Sequence, residues 1–128
     1  MAKTIATILG VIFILVGLAG FVAPHLLGAH LSTTHNIIHL VSGAASLYFG
    51  LAGSLSAARI FCLAFAAVYL LLAVAGFVLG SGDDRMLRVI PEALEFGTPD
   101  HIIHVLLGGI YLIGGLLTRE DARATATV

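Results

Sequence analysis

Six histidines are the residues of this sequence best suited to chemistry, and four of them form two pairs. His35 and His39 are four residues apart, and His101 and His104 are three apart. On an α-helix, either spacing places both side chains on one face. Imidazole binds zinc, copper, iron and nickel, so the pairs are candidate ligands of a transition metal. The candidate metal site comprises these four rings and two polar neighbours that would orient them: His35, His39, His101, His104, Asn36 and Asp100.

A haem is the second candidate cofactor. In an up-down-up-down bundle the helices that begin with the two pairs are diagonal, roughly 11–14 Å apart when neighbouring helices are ~8–10 Å apart. His39 and His104 would then ligate one iron axially. Gly43 and Gly108 lie one turn deeper and would leave room for the edge of a porphyrin.

The same residues also fit a purely structural role. Thr33 or Thr34 and Thr98 are candidate N-caps, Pro99 suits the first helical position, and Asp100 favours the positive end of the helix dipole. The histidines would then hydrogen-bond to water, to each other or to the first loop. The glycines that would serve only close helix approach are Gly43, Gly50, Gly108 and Gly115. This structural interpretation leads, and the metal and haem hypotheses stay open beside it.

The remaining composition predicts a lipid-embedded protein without catalytic machinery. Of the 128 residues, 59% are hydrophobic and 10% are charged, whereas a soluble domain has about 25% charged residues. Only Arg59 is charged between Lys3 and Asp83. The net charge of -1 and the lack of a basic stripe argue against nucleic-acid binding. The sequence has no glycine-rich phosphate loop, Ser-His-Asp set or His-Glu-x-x-His motif, so we expect no enzyme.

Four continuous apolar runs predict four transmembrane helices and an all-α fold. Each run approaches the ~20 residues that cross a ~30 Å hydrocarbon core. The predicted spans are residues 4–23, 34–55, 60–79 and 102–117. The loop at 80–97 mixes apolar and charged residues, which indicates either a partly helical segment in the membrane interface or an ordinary polar connection.

The basic residues favour a cytoplasmic N-terminus, because positive loops stay inside. With that orientation four of them lie inside: Lys3, Arg59, Arg119 and Arg123. Only Arg85 and Arg88 lie outside. Both termini are then cytoplasmic, residues 119–128 form a cytoplasmic tail, and every histidine is near the outer end.

The two halves of the chain resemble each other. Residues 12–22 align with 68–78 at an offset of 56, and Ile37-Ile38-His39 aligns with Ile102-Ile103-His104 at an offset of 65. The glycines after each His match as well. We therefore predict one domain, built from two parallel repeats of a helical hairpin. Its predicted bounds are 1–118, with repeat one at about 5–55 and repeat two at about 60–118.

Two short motifs begin the second and fourth helices. Asn-x-x-His with a glycine four residues later occupies 36–43, and Asp-x-x-x-His with the same glycine occupies 100–108. From about residue 8 to residue 117 the chain resembles a bacterial family of small four-helix membrane proteins catalogued as a domain of unknown function. His35 and His101 are additional to that pattern. The resemblance implies a bacterial inner-membrane location and brings no known activity.

The leading functional hypothesis is an accessory or structural subunit of the membrane. Its expected partners are the lipid bilayer and other membrane-protein subunits or further copies of itself. Metal or haem binding by His39 and His104 is the first alternative, and a small transporter is the second. The polar groups available to a transport path are Ser42, Ser46, Tyr48 and Tyr111.

Overall fold

Four helices account for most of the protein, whose computed structural model describes residues 1–118. The predicted tail, residues 119–128, lies outside the described residues together with the two arginines counted there. The helices are α1 Ala2–Gly20, α2 Thr33–Leu51, α3 Leu55–Leu79 and α4 Thr98–Leu117. They follow the four apolar runs, so the predicted four-helix, mostly helical architecture is confirmed.

Among the described residues, three helices are long and apolar enough to cross a membrane: α1, α3 and α4. This suggests a membrane protein. The helix α2 has 19 residues, but its first two turns contain Thr33, Thr34, His35, Asn36 and His39. Because of these polar residues α2 does not meet the same standard of hydropathy, and the fourth span stays a prediction.

The helices associate as two pairs, α1 along α2 and α3 along α4, with fewer contacts between the pairs. Glycines allow each pair to pack closely. A Cβ atom on Gly43 would lie 2.7 Å from Cγ1 of Ile14, and one on Gly108 would lie 2.7 Å from Cγ of Leu70. Both distances are too short for a side chain, so each partner occupies the space that its glycine leaves open.

Aromatic rings fill the centre where the two pairs meet. Phe13 and Tyr69 are stacked with ring centroids 5.8 Å apart, and Tyr111 lies 6.3 Å from Tyr69. The Ser46 hydroxyl donates to the carbonyl of Ala6 at 2.7 Å and lies 3.0 Å from the Tyr111 hydroxyl. The buried hydroxyls of Ser46 and Tyr111 are therefore paired with each other within a cluster of aromatic rings.

A short β-hairpin occupies the loop between α3 and α4. Its strands, β1 Leu87–Ile90 and β2 Leu94–Phe96, are antiparallel, with Leu87 opposite Phe96. The turn contains Pro91 and Glu92, whose φ is +67°. Proline removes a helical hydrogen bond and a positive φ interrupts a right-handed helix. The expectation of a partly helical segment was therefore wrong, and the all-α prediction missed this hairpin.

Candidate functional site

All six histidines belong to one end of the bundle, which we call the histidine end. It consists of the loop between α1 and α2, the β-hairpin, and the first two turns of α2 and α4. The Ser32 hydroxyl donates to the carbonyl of Ala93 and so joins the first loop to the hairpin. Ser32 also caps α2, accepting from the His35 N–H at 3.2 Å. The caps are thus Ser32 and Gly97, each preceding the predicted threonines.

Three of the four predicted metal-ligand histidines come together at this end. The rings of His35 and His39 have centroids 4.2 Å apart. Phe96 of the hairpin meets His35 at 5.1 Å and His104 at 4.8 Å, edge to face in both cases. Phe96 is therefore a wedge between α2 and α4, packed against the rings of His35 and His104.

His39 and His104 lie deepest among these rings, each against an aromatic side chain. The centroid of His39 is 5.6 Å from that of Phe13, and the centroid of His104 is 5.5 Å from that of Tyr69. His39 is 9% exposed and His104 is 4% exposed. Nδ1 of each ring is buried and has no hydrogen-bond partner among the residues that the structure describes. An unpaired buried polar atom costs free energy. Oδ1 of Asn36 and Nδ1 of His101 are unpaired in the same way, but only the nitrogens of His39 and His104 belong to rings beside cavities.

Two cavities flank the His39 and His104 pair. The first, between α2 and α3 and beneath the hairpin, has a volume of about 210 Å³ and is lined by Ser42 and Tyr69 among others. The second, between α1 and α4, has a volume of about 180 Å³ and includes Phe13 in its wall. We call them the α2–α3 cavity and the α1–α4 cavity. His35 lines both cavities together with His39 and His104, so these three rings separate two spaces that lie on opposite sides of the bundle.

His101 and Asn36 lie elsewhere, inside the helix pairs. Nε2 of His101 is 2.7 Å from the carbonyl oxygen of Arg85. The His101 ring fills the space beside Gly76, where a Cβ atom would be 2.2 Å from the ring. Asn36 fills the space beside Gly20 in the same way. Neither residue lines the two cavities, so His101 is not brought to the other three rings and Asn36 does not orient them.

Asp100 joins the loops to α4. Its Oδ2 accepts from the Gly97 N–H at 2.9 Å and lies 3.2 Å from Nδ1 of His30. The carboxylate is 2% exposed. His35 is tied to the same loop, because its Nδ1 is 2.8 Å from the His30 carbonyl oxygen. Asp100 therefore caps the helix and holds the first loop, instead of orienting the ring of His104.

Only some of the residues predicted for the metal and haem sites lie together in the structure. Within residues 1–118, no three His, Cys, Asp or Glu side chains are grouped so that they could hold a metal ion. Gly43 and Gly108, predicted to leave room for a porphyrin edge, are packed against Ile14 and Leu70. What remains of both hypotheses is the pair His39 and His104 with its unpartnered nitrogens.

Sequence reasoning missed the aromatic residues that surround this pair. Phe13 and Tyr69 fall at the same place in the two aligned halves, so an aromatic residue recurring at one repeat position was the available signal. Phe96 gave no such signal, because its contact with the histidines depends on the hairpin.

Comparison with known proteins identifies a family and nothing closer. The comparisons with curated proteins and with solved structures return no match to this chain. A family model described as a domain of unknown function matches residues 3–117, which is nearly the whole of the described chain. The protein therefore belongs to this family, DUF4383.

Proposed function

We propose that the protein is a non-enzymatic, four-span component of a bacterial cytoplasmic membrane, with both termini in the cytoplasm, that acts as an accessory or structural subunit. The polar residues of α2 that lower its hydropathy are buried in the bundle, including His35, Asn36 and Ser46. Its exposed face carries Val41 and Leu51, which are 65% and 68% exposed. A helix with its polar groups inside and apolar groups outside suits lipid, which supports α2 as the fourth span.

We further propose that the bundle is one hairpin used twice. The offsets of 56 and 65 relate the contact of Gly43 with Ile14 to that of Gly108 with Leu70. They relate Gly20 with Asn36 to Gly76 with His101 in the same way. The second supporting observation is that equivalent residues meet each other between the pairs: Phe13 with Tyr69, and Ser46 with Tyr111. Such self-contacts are what a twofold axis along the bundle produces.

The observation that carries the structural role is that polar side chains at the histidine end hydrogen-bond to the loops. His35, His101, Asp100 and Ser32 all bond to loop backbone or loop side chains. These bonds close the bundle at this end, which supports a structural role for the polar groups. The outer surface is apolar and available to lipid or to other membrane helices.

Partner binding is tested by purifying the tagged full chain from its own membranes in a mild detergent. We expect a complex whose protein mass exceeds the 13.3 kDa of one chain. It should contain a second membrane-protein subunit, either another protein or a further copy of the chain, at a fixed ratio to the tagged chain. A tagged four-helix protein of another family, purified in parallel, is the control for detergent-driven association. A particle of 13.3 kDa protein mass at every concentration would contradict the proposal.

A second candidate function, haem or metal binding by His39 and His104, is favoured by their unpartnered Nδ1 atoms. Its test is the visible spectrum and metal content of the purified protein. A Soret band that disappears in His39→Ala would support the haem version, and a colourless, metal-free sample would exclude both. A transport path is disfavoured, because it would have to pass the bonded hydroxyls of Ser46 and Tyr111.

A further inference from the structure

The two cavities beside His39 and His104 are counterparts of each other under the same offsets of the sequence. The α2–α3 cavity has Val68 and Tyr69 where the α1–α4 cavity has Ile12 and Phe13. Val68 and Ile12 are 52% and 44% exposed, so each cavity opens on the flank of the bundle. In a membrane these openings face lipid, and a molecule dissolved in the bilayer can enter from the side.

The cavities differ in polarity. Ser42 and Tyr69 bring two hydroxyl groups to the wall of the α2–α3 cavity. The equivalent residues in the α1–α4 cavity are Leu107 and Phe13, which have none. A ligand that needs hydrogen bonds is therefore better satisfied in the α2–α3 cavity.

The volume of the α2–α3 cavity suits a ligand with a single ring inside the bundle. An engineered apolar cavity of about 150 Å³ binds benzene, so a volume of about 210 Å³ suits one substituted six-membered ring. Phe96 and Tyr69 offer aromatic faces and edges against which such a ring can pack.

The unpartnered histidine nitrogens indicate which substituents the ring of the ligand should carry. A neutral imidazole has one N–H donor and one acceptor nitrogen. Binding requires the ring of His39 or His104 to rotate about its Cβ–Cγ bond, because Nδ1 is buried in the structure and does not face the cavity. An oxygen acceptor on the ligand would then supply a partner that the described residues do not provide.

We propose that the α2–α3 cavity binds the head of a membrane-soluble quinone: a six-membered ring with carbonyl oxygens and an alkyl or isoprenoid tail. The carbonyl oxygens accept from His39 and His104, and the tail leaves past Val68 into the lipid. This binding goes beyond the accessory role and does not depend on a protein partner.

The test is calorimetric titration of the detergent-purified full chain with decylubiquinone, with decylbenzene as the probe that has a ring and tail but no oxygens. We expect saturable one-to-one binding of decylubiquinone and at least about tenfold weaker binding of decylbenzene, because the lost hydrogen bonds are worth that much. The absence of saturable binding, or equal affinity for both probes, would overturn the proposal.

Four variants locate the site. His39→Phe keeps a ring but removes the nitrogens, and Val68→Phe fills the mouth of the α2–α3 cavity. Each should weaken binding by about tenfold or more. The matched controls are Ile12→Phe, at the mouth of the α1–α4 cavity, and His25→Ala, outside both cavities. Both controls should bind as the unchanged chain does.

Thermal unfolding of every variant separates loss of the ligand from loss of the fold. Should His39→Phe not fold, Val68→Phe against Ile12→Phe still decides the question, because both retain the histidines. A loss in Ile12→Phe with none in Val68→Phe would overturn the assignment to the α2–α3 cavity. A Soret band in the purified protein that disappears in His39→Ala would assign the pair to haem and also overturn it.

Discussion

The first helix pair, α1 with α2, and the second, α3 with α4, share a glycine-based interface but differ at the histidine end. The loop of the first pair has a short 3₁₀ turn, Leu26–Gly28, whereas the loop of the second forms a β-hairpin. Beside Gly20 the first pair places Asn36, and beside Gly76 the second places His101. The shared positions set how closely the helices approach, and the unshared ones decide where the polar groups lie.

The largest difference between the pairs should appear at Gly50 and Gly115. A Cβ atom on Gly50 would lie 2.7 Å from the backbone nitrogen of Thr7, which cannot move without shifting α1. On Gly115 the nearest atom belongs to the flexible end of Leu63. We expect Gly50→Ala to lower the free energy of unfolding in detergent by about 2–3 kcal/mol and Gly115→Ala by about 1 kcal/mol.

Gly109→Ala is the control for both glycine variants. Apart from its chain neighbours and the backbone of its own helix, no atom of residues 1–118 lies within 4 Å of a Cβ atom there. Helix propensity should therefore make this change neutral or stabilising by up to about 1 kcal/mol. Equal effects of the Gly50 and Gly115 changes would show that the two interfaces are equally tight and would contradict the proposed asymmetry.

The next largest effect concerns Ser46 and Tyr111, which occupy equivalent positions and contact each other. Ser46→Ala should cost about 1–2 kcal/mol, because it removes the buried partner of the Tyr111 hydroxyl. Tyr111→Phe should cost about 1 kcal/mol or less, since Ser46 keeps its bond to the Ala6 carbonyl. Unfolding curves of both variants give the two losses of unfolding free energy. A larger loss in Tyr111→Phe than in Ser46→Ala would contradict this account of the hydrogen bonds.

Asp100 should have a moderate effect through the first loop. Asp100→Asn keeps an acceptor for the Gly97 N–H but loses the charge beside His30, so the expected cost is about 1 kcal/mol. Hydrogen exchange of residues 24–32 should accelerate in this variant and stay unchanged in His25→Asn. Unaltered exchange in Asp100→Asn would show that the carboxylate does not hold the loop.

The smallest effect is expected in the hairpin turn. Glu92 has a φ of +67°, which glycine adopts at little cost. Glu92→Gly should therefore raise the unfolding free energy by about 0.5 kcal/mol, while Glu92→Ala should not. A destabilised Glu92→Gly would indicate that the side chain of Glu92 supports the hairpin.

Much of the helical framework follows from the sequence, whereas the arrangement of the histidines does not. Continuous apolar runs define helices whatever their neighbours are, so the four helices were predictable. The spacing of His101 and His104 is three residues, which turns one ring about 60° from the other. That angle sends His101 toward Gly76 and leaves His104 at the cavities. Only the packing of α3 against α4 decides between these two directions.

The β-hairpin was hidden for a related reason. The loop's apolar residues suit a helix or a strand in a short segment, and Pro91 with Glu92 selects the strand. Phe96 thereby reaches His35 and His104. A long-range contact of this kind depends on the turn, so the wedge between α2 and α4 could not be predicted from spacing.

The most direct test of the four-span bundle is the side of the membrane on which three loops lie. In a chain whose buried Cys62 is changed to alanine, single cysteines replace exposed His25, Ala52 and Asp83. An impermeant maleimide is applied to intact cells and to opened membranes. Four spans with a cytoplasmic N-terminus predict labelling of His25→Cys and Asp83→Cys in intact cells and of Ala52→Cys only after opening. If α2 does not cross, His25→Cys and Ala52→Cys lie on the same side, and equal labelling of these two in intact cells would contradict the account.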